Sequence, residues 1–410
     1  MAGVLDGLRV VDFSRVFAGP AATQVLGDLG AEVIKIEEPG RGDEARGFGA
    51  NAETLARFGA SPSFLALNRN KRSIALDLKS PAGLAMARRL ALSADVLVHN
   101  FRPGTMEKWG LGWEDLRAQN PRLIHCGFSA YGETGPMRDF GANDVALQAH
   151  SGLMELTGEP DRPPVRVGTA GIDLHGSLGM VCAILAALLH RAQSGEGQKV
   201  TSSLLQSSAH LMSYFYTDWW LAGTRHQRMG TANHLSVPNQ VFPAADGDVV
   251  IIAPSDDMWR RLAQALDPAR LDLPEFAGAL DRRIHRGKLV AVLSEVTRGL
   301  AAEEIVRRLG AARVNVAKVN SVAEAADHPQ LEAIGGVLEF ERQGATMRSV
   351  APPFTLTATP ASVRRRPPEV GEHGEEILHE LGLSEAEIFA ARQAGAFGPA
   401  AIRSLCQPAG

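Results

Sequence analysis

The stretch LRVVDFS, residues 8–14, is a short apolar run rich in β-branched residues, and PAATQVLGDLG, residues 20–30, follows it with a helical pattern. The next run, EVIKIE at 32–37, again has strand character. The alternation continues downstream through PAGLAMARRLALSA at 81–94, DVLVHNF at 95–101 and RLIHCGFS at 122–129. Strands that alternate with helices indicate βαβ units and a parallel sheet. We therefore predict an α/β fold with a Rossmann-like large domain, which binds ligands at the carboxyl ends of its strands.

The domain organisation follows from length and from a change of pattern. A chain of 410 residues is longer than one average domain. Residues 225–330 have their own strand run, DVVIIA, followed by helical patterns, which predicts a smaller α+β domain. We predict that residues 1–200 form the large domain and that residues 340–410 return to it through a proline-rich strap, APPFTLTATPASVRRRPPEVGEHG.

The composition argues against several classes of protein. Lys and Arg total 42 against 46 Asp and Glu, and no long basic run marks a surface for nucleic acid. Cys126, Cys182 and Cys406 are widely spaced, which argues against disulfides and against a CxxC metal site. The longest apolar region, 178–189, is shorter than the roughly 20 residues that span a bilayer, and the N-terminus does not read as a signal peptide. We expect a cytoplasmic protein with no metal, nucleic-acid partner or membrane segment.

The segment VGTAGIDLHGSLGM, residues 167–180, carries the main candidate for chemistry, Asp173, at the head of an apolar helical pattern. One interpretation is structural, because a carboxylate suits the N-cap or first turn of a helix. The other is catalytic: neighbouring glycines would let a thioester approach, and helix N–H groups would stabilise an oxyanion beside a carboxylate nucleophile. The two interpretations are compatible.

Several stretches in the expected order resemble the class III CoA-transferases of the CaiB/BaiF type, a family that also contains the alpha-methylacyl-CoA racemases. The resemblance covers most of the chain and is carried by LDGLRVVDFSRVFAGP, LGDLGAEVIKIEEPGRGDEAR, LNRNKRSIALDLKSPAG, ADVLVHNFRPGTMEKWGLG, FSAYGETGP, QAHSGLMELTG, VGTAGIDLHGSLGMVCAILAALLHR and PPEVGEHGEEILHELGL.

The resemblance implies that Asp173 is the nucleophile. It would attack an acyl-CoA to give a mixed anhydride, then an aspartyl-CoA thioester that a carboxylic acid resolves. Coenzyme A would therefore be part of the substrate, and no cofactor would be bound permanently. The resemblance also implies an interlocked homodimer, with each active site between the large domain of one subunit and the small domain of its partner.

The same resemblance places CoA contacts on two basic segments and on the residues near them, although an exposed surface role is the default for any single cation. The candidates are Val16, Arg41, Arg69, Lys71, Arg72, Asn100, Phe101, Arg102, Met106 and Lys108. It also suggests four residues that line the acyl site: Phe17, Tyr131, Asn143 and His234. For Tyr131, a structural role in a turn or in the core is the alternative.

Departures from relatives narrow the activity. Phe17 stands where formyl-CoA transferases carry glutamine, and the loop MGTANHLSVPNQ around His234 resembles the dicarboxylate-type transferases, so we expect a succinyl-CoA type of donor. Asn143 stands where the racemases carry a histidine, and an amide cannot accept and return a proton. Racemisation and non-catalytic acyl-CoA binding remain alternatives. A nicotinamide dehydrogenase is disfavoured because no GxGxxG follows the first strand.

Overall fold

The computed structural model describes residues 3–398, so Cys406 lies outside the described residues. The chain divides into two compact units. The first contains the described residues up to Gly152, then Val167–Ala222, then the described residues from Glu332 onward. The second contains Leu153–Arg166 and Gly223–Leu331. It includes the segment 225–330 that the sequence assigned to a small domain, together with a short piece, Leu153–Arg166, that the sequence assigned to the large one.

The first unit is built on a six-stranded parallel sheet with the order β3-β2-β1-β4-β5-β6. Its central strands are buried on both faces, which is why they read as continuous apolar runs. The strands are β1 (Arg9–Asp12), β2 (Glu32–Glu37), β3 (Lys71–Ala75), β4 (Val96–His99), β5 (Ile124–Ser129) and β6 (Lys199–Ser203). The predicted α/β class with a parallel sheet is confirmed.

Helices accompany these strands. The helices of this unit before residue 223 are α1 (Ala18–Asp28), α2 (Ala52–Phe58), α3 (Pro62–Leu67), α4 (Pro81–Ser93), α5 (Thr105–Lys108), α6 (Trp113–Arg117), α7 (Asp144–His150), α8 (Gly171–Ser194), α9 (Leu204–Leu211) and α10 (Ser213–Ala222). The sequence patterns predicted three of these helices: α1, α4 and α8.

The long helix α8 positions the main candidate residue. It packs against α1, α9, β5 and β6, and Gly176 lets it approach closely, since a Cβ there would lie 2.7 Å from Phe128 Cζ. Gly195 adopts φ 82° and ends the helix, as glycine does at many helix C-termini. By length and composition alone, α8 is the one helix of residues 3–398 that could cross a membrane, a test that buried helices of water-soluble proteins also pass.

The second unit has its own core around Trp259 and Phe242. Its antiparallel sheet has the order β7-β8-β9, and helices cover it, which agrees with an α+β architecture. The elements are β7 (Asn239–Pro243), β8 (Asp248–Ile252), α11 (Asp256–Leu266), α12 (Pro268–Leu271), α13 (Ala279–Ile284), α14 (Arg286–Arg298), α15 (Ala302–Ala311), β9 (Asn315–Lys318) and α16 (Val322–Ala326).

The chain then returns to the first unit at Glu332, within α17 (Pro329–Ala333). An antiparallel hairpin of β10 (Val337–Arg342) and β11 (Ala345–Val350) precedes the proline-rich strap, whose Arg365 carbonyl accepts a bond from Asn70 N–H. Two helices follow, α18 (Gly374–Glu380) and α19 (Glu385–Gln393). Ile377 and Ile388 of these helices join the core around the parallel sheet, so the C-terminal segment completes the large unit.

Candidate active site

The loop that links β1 to α1 is held in an unusual conformation. Val16 has φ 70°, a left-handed value that costs a β-branched residue on the order of 1–3 kcal/mol. Its N–H donates to the Asp43 carboxylate at 3.1 and 3.2 Å. Lys35 lies under the loop, paired with Asp43 at 2.9 Å and donating to the Ser14 carbonyl at 2.7 Å. The conformation of the loop is therefore fixed by a buried ion pair.

A second buried pair supports the same loop. Asp12 accepts from the Ser14 N–H at 2.9 Å, from Thr23 at 2.7 Å and from the Lys71 ammonium at 3.1 Å. Burial favours protonation of Asp12, but Lys71 and Lys35 outweigh it and lower the pKa of Asp12 to about 2. Burial lowers the pKa of Lys71 to about 8, against the opposing attraction of Asp12.

The basic segment that contains Lys71 does not present cations to a ligand. Lys71 has no exposed side-chain surface, Arg69 is paired with Asp28 at 2.6 Å, and Arg72 is bound by glutamates that include Glu376 at 2.8 Å. The structure therefore corrects the prediction that Arg69, Lys71 and Arg72 contact the CoA phosphates, because intrachain carboxylates occupy all three. Of the predicted cations, Arg41, Arg102 and Lys108 are exposed, and their role stays a prediction.

The segment after β4 meets the β1–α1 loop at the carboxyl edge of the sheet. The side chain of Asn100 accepts from the Arg15 N–H at 2.9 Å and donates to the Arg15 carbonyl at 2.7 Å. The Arg15 guanidinium lies 5.4 Å from the centre of the Phe101 ring. Met106 is buried in the core, so its predicted contact with CoA is replaced by a packing role.

A small cavity of about 120 Å³ lies beside this junction. Its walls include Phe101 and two cations that we did not single out from the sequence, Arg15 and Lys79, together with the carboxylates of Glu37, Glu38 and Asp77. Arg15 lies three residues after a buried strand, at the ligand-binding edge of the sheet. This position could have identified it as a candidate from the sequence.

Asp173 lies in the first turn of α8, but it does not cap the helix. The cap is the buried carboxylate of Asp144, which accepts from the N–H groups of Ile172 at 2.7 Å and Asp173 at 3.1 Å. Asp144 is held in turn by Gln148, whose side-chain oxygen accepts from the Val167 N–H at 2.8 Å. The predicted first-turn position of Asp173 is confirmed, but its predicted role as an N-cap is wrong. So is the use of these two helix N–H groups as an oxyanion hole, because Asp144 occupies them.

The Asp173 carboxyl group has an unusual electrostatic environment. Burial, reinforced by the charge of Asp144, raises the pKa of Asp173 from 3.8 to about 7. Among residues 3–398, no side chain or backbone group within hydrogen-bonding distance donates to its carboxylate oxygens. A methyl group added at Gly171, two residues before Asp173, would meet nothing within 4 Å. A carboxyl group whose pKa is perturbed by burial and by a specific charged neighbour is a candidate for a functional residue.

A hydrogen-bonded chain of side chains lies next to Asp173, and sequence reasoning missed it. Ser207 donates to the Ile172 carbonyl at 2.9 Å, and His175 Nδ1 lies 2.9 Å from Ser207 Oγ. His175 Nε2 lies 3.2 Å from His210 Nδ1, and the two rings are stacked. Burial, with His210 beside it, lowers the pKa of His175.

The other predicted lining residues lie in four places. Tyr131 follows β5 and packs edge-on against His150, with 5.4 Å between ring centres. Phe17 precedes α1 and is partly exposed. Asn143 is exposed and caps α7, accepting from the Ala146 N–H at 3.1 Å. His234 belongs to the second unit, where its ring lies 4.5 Å from that of His226.

The chain matches known proteins along nearly its whole length. The model of CoA-transferase family III matches residues 5–374. The succinate–glutarate CoA-transferase of Agrobacterium fabrum is 35% identical over 93% of this chain and 96% of that protein. The succinyl-CoA:glutarate CoA-transferase of Homo sapiens is 34% identical over 92% of this chain and 86% of that protein. A crystal structure of a CAIB/BAIF family protein from Brucella suis, 34% identical, matches with a TM-score of 0.83 over 93% of this chain and 100% of that one.

The protein therefore belongs to CoA-transferase family III, and the resemblance predicted from its sequence motifs is confirmed. The expectation that it is a transferase enzyme is confirmed by the same matches. Substrates of this class are CoA thioesters and carboxylic acids, as predicted. Among residues 3–398, no cluster of three or more His, Cys, Asp or Glu side chains could hold a metal ion.

Proposed function

We propose that the protein transfers coenzyme A from succinyl-CoA, or a similar acyl-CoA, to a dicarboxylic acid through a covalent intermediate on Asp173. The observation that carries this proposal is the division of roles at the start of α8. Asp144 accepts the helix N–H bonds, so the Asp173 carboxylate is left available for chemistry. With a pKa of about 7, about half of the Asp173 side chains are ionised at neutral pH.

The first half of the reaction moves CoA onto the enzyme. A carboxylate oxygen of Asp173 attacks the thioester carbonyl, the C–S bond breaks, and a mixed anhydride and CoA thiolate form. The thiolate then attacks the aspartyl carbonyl of the anhydride. This step produces an aspartyl-CoA thioester and releases the donor acid as a carboxylate.

The second half repeats these steps in reverse order. The acceptor carboxylate attacks the aspartyl-CoA carbonyl and displaces CoA thiolate, which gives a second anhydride. The thiolate attacks the acceptor's carbonyl, so that the new acyl-CoA forms and the Asp173 carboxylate is regenerated. Each step exchanges one activated acyl bond for another, and the rate depends on how the reacting groups are positioned.

The choice of acids is supported by the names of relatives and by the loop around His234. The related enzymes from Agrobacterium fabrum and Homo sapiens are named for succinyl-CoA or succinate and for glutarate. A relative from Chloroflexus aurantiacus, 36% identical over 94% of this chain, is named for succinyl-CoA and D-citramalate. All of these acids carry two carboxylates, which favours a dicarboxylate acceptor here.

The racemase alternative loses support at Asn143. Its side-chain oxygen is bound to the Ala146 N–H, so it has the role of a helix cap.

We further propose a cytoplasmic homodimer. Leu174, Leu178 and Leu189 are exposed along α8, and exposed apolar surface of this kind favours a protein interface.

Mass spectrometry of the intact protein tests the central proposal. The chain is mixed with succinyl-CoA, and peptides are mapped before and after hydroxylamine treatment. We expect a hydroxylamine-sensitive CoA or succinyl adduct on Asp173, and no adduct in Asp173→Asn. Wild-type protein that binds several acyl-CoA donors without forming any adduct would reject covalent transfer and favour a non-catalytic acyl-CoA-binding role.

A further inference from the structure

The second unit contains a basic cavity that the mechanism above does not use. Its volume is about 640 Å³, within the range of small-molecule sites. Five of the twelve residues that line it are basic and none is acidic. The basic residues are Arg225, His226, Arg228, His234 and Arg286. A cavity lined in this way attracts an anion.

Arg286, the first residue of α14, is the residue that most clearly requires a ligand. Its Nη2 donates to the Asn233 carbonyl at 2.9 Å, but its Nη1 is buried without a hydrogen-bond partner. A guanidinium group remains charged and can only donate, so a buried unpaired N–H of this kind is costly. Burial and the nearby Arg283 lower the pKa of Arg286, which indicates that the cation lacks a counter-charge.

The surroundings of Arg286 define the shape of the anion. Arg228 is fixed by Glu155, through its carboxylate at 3.3 Å and its carbonyl at 3.2 Å. The remaining wall contains Met229 and Val290, which are apolar. A carboxylate at the end of a short aliphatic chain would match both features, with its oxygens on the guanidinium and its methylene groups on the apolar wall.

We propose that this cavity binds a dicarboxylic acid, or its CoA thioester, by the carboxylate that does not react. Arg286 is the principal ligand of that carboxylate. The proposal rests on the proposed function for the identity of the acid. It deepens that function by assigning selectivity for dicarboxylates to residues of the second unit. Two groups could present an oxyanion to Arg286: the carboxylate of the acid and the phosphates of CoA.

The test separates the two sources by equilibrium titration. Glutarate has carboxylates and no phosphate, whereas free CoA has phosphates and no carboxylate. Each is titrated into the full-length wild-type chain, Arg286→Met and a matched control, Arg298→Met, which removes the same charge at the other end of α14. We expect Arg286→Met to weaken glutarate binding by about 10- to 100-fold, since hydrogen bonds to charged groups are strong. CoA affinity should not change, and Arg298→Met should behave as wild type.

Kinetics provide a second readout. In Arg286→Met, the KM for glutarate and for succinyl-CoA should rise, while transfer from acetyl-CoA to a monocarboxylate such as butyrate should keep its wild-type kcat/KM. If Arg286→Met fails to fold, Arg286→Lys decides the question, because lysine keeps the charge but lacks the planar fork; its affinity for glutarate should fall at least about threefold.

Unchanged glutarate affinity in both variants would overturn the proposal, and so would a loss of CoA affinity with glutarate affinity retained, since the cavity would then serve phosphates. The proposed function fails on a separate result, namely that the wild-type chain transfers CoA between none of the donors and acceptors tested. The glutarate titration still decides the role of the cavity in that case.

Discussion

The raised pKa of Asp173 makes the first chemical step depend on pH in a range where an ordinary aspartate would not. The carboxyl group titrates near pH 7 instead of 3.8, first because it is buried and second because Asp144 repels its charge. Only the ionised form attacks the thioester. The rate of the first step should therefore follow the ionised fraction of Asp173.

The expected magnitude follows from this pKa. A group with a pKa of about 7 is about 9% ionised at pH 6 and about 91% ionised at pH 8, so the rate should rise roughly tenfold. An aspartate with a pKa of 3.8 would be almost fully ionised at both values, and its rate would be constant.

The assay is a single-turnover measurement of aspartyl adduct formation with succinyl-CoA between pH 5.5 and 8.5. Asp144→Asn keeps an oxygen to cap α8 but removes the charge beside Asp173, so the pH dependence should shift to lower pH and the ratio should fall below tenfold. Asp139→Asn, the same change at an exposed site, should leave the ratio unchanged. A rate that is constant between pH 6 and 8 in the wild-type protein would refute the reasoning.

Four further changes have definite expected outcomes. Asp173→Asn should abolish transfer and raise the thermal midpoint of unfolding. Because the pKa of Asp173 is raised in the folded state, the wild-type protein loses at most about 4 kcal/mol of stability as pH rises from about 4 to 7, and the Asn variant does not. Equal midpoints of the two proteins at pH 8 would contradict this prediction. Gly171→Ala should fold normally, because its Cβ meets nothing, yet slow adduct formation by steric contact with the thioester; an unchanged rate would place the substrate elsewhere. Lys71→Met should destabilise the first unit by about 3–5 kcal/mol in urea unfolding, since Asp12 is left buried and unpaired, and a cost near that of an exposed surface change would exclude this role. Co-expressed Asp173→Asn and Arg286→Met chains should form mixed dimers with about half the wild-type activity if each active site uses two subunits, and only the weakened activity of an Arg286→Met site if one chain supplies both residues.

The sequence was sufficient for the features that depend on local periodicity and on motif order. Alternating strand and helix patterns predicted the parallel sheet, and Gly195 marked the end of α8, because these signals depend on neighbouring residues only. The order of the motifs along the chain predicted the family. The glycine-rich context at a helix start marked Asp173 as a candidate, whereas its role as nucleophile came from the family resemblance and stays a prediction.

The roles of charged residues depended on the fold and could not be predicted from the sequence. Arg69 and Lys71 have the composition of a phosphate-binding segment, yet each is paired with a carboxylate more than 40 positions away, Asp28 and Asp12. The partner of a charge is decided by the three-dimensional arrangement of strands, and sequence neighbours give no information about it. The same limit hid Arg286, whose unpaired Nη1 is recognised only from the atoms around it.

The start of α8 has one feature that the sequence could predict and one that required the folded structure. The sequence alone determined that a carboxylate would lie at the N-terminus of this helix, since helix ends attract acidic groups. It could not decide which carboxylate caps the helix and which is available for chemistry. Tertiary packing decides this by placing Asp144, from α7, against the N–H groups of Ile172 and Asp173. Burial and the proximity of two carboxylates then raise the pKa of Asp173, and both are properties of the folded chain.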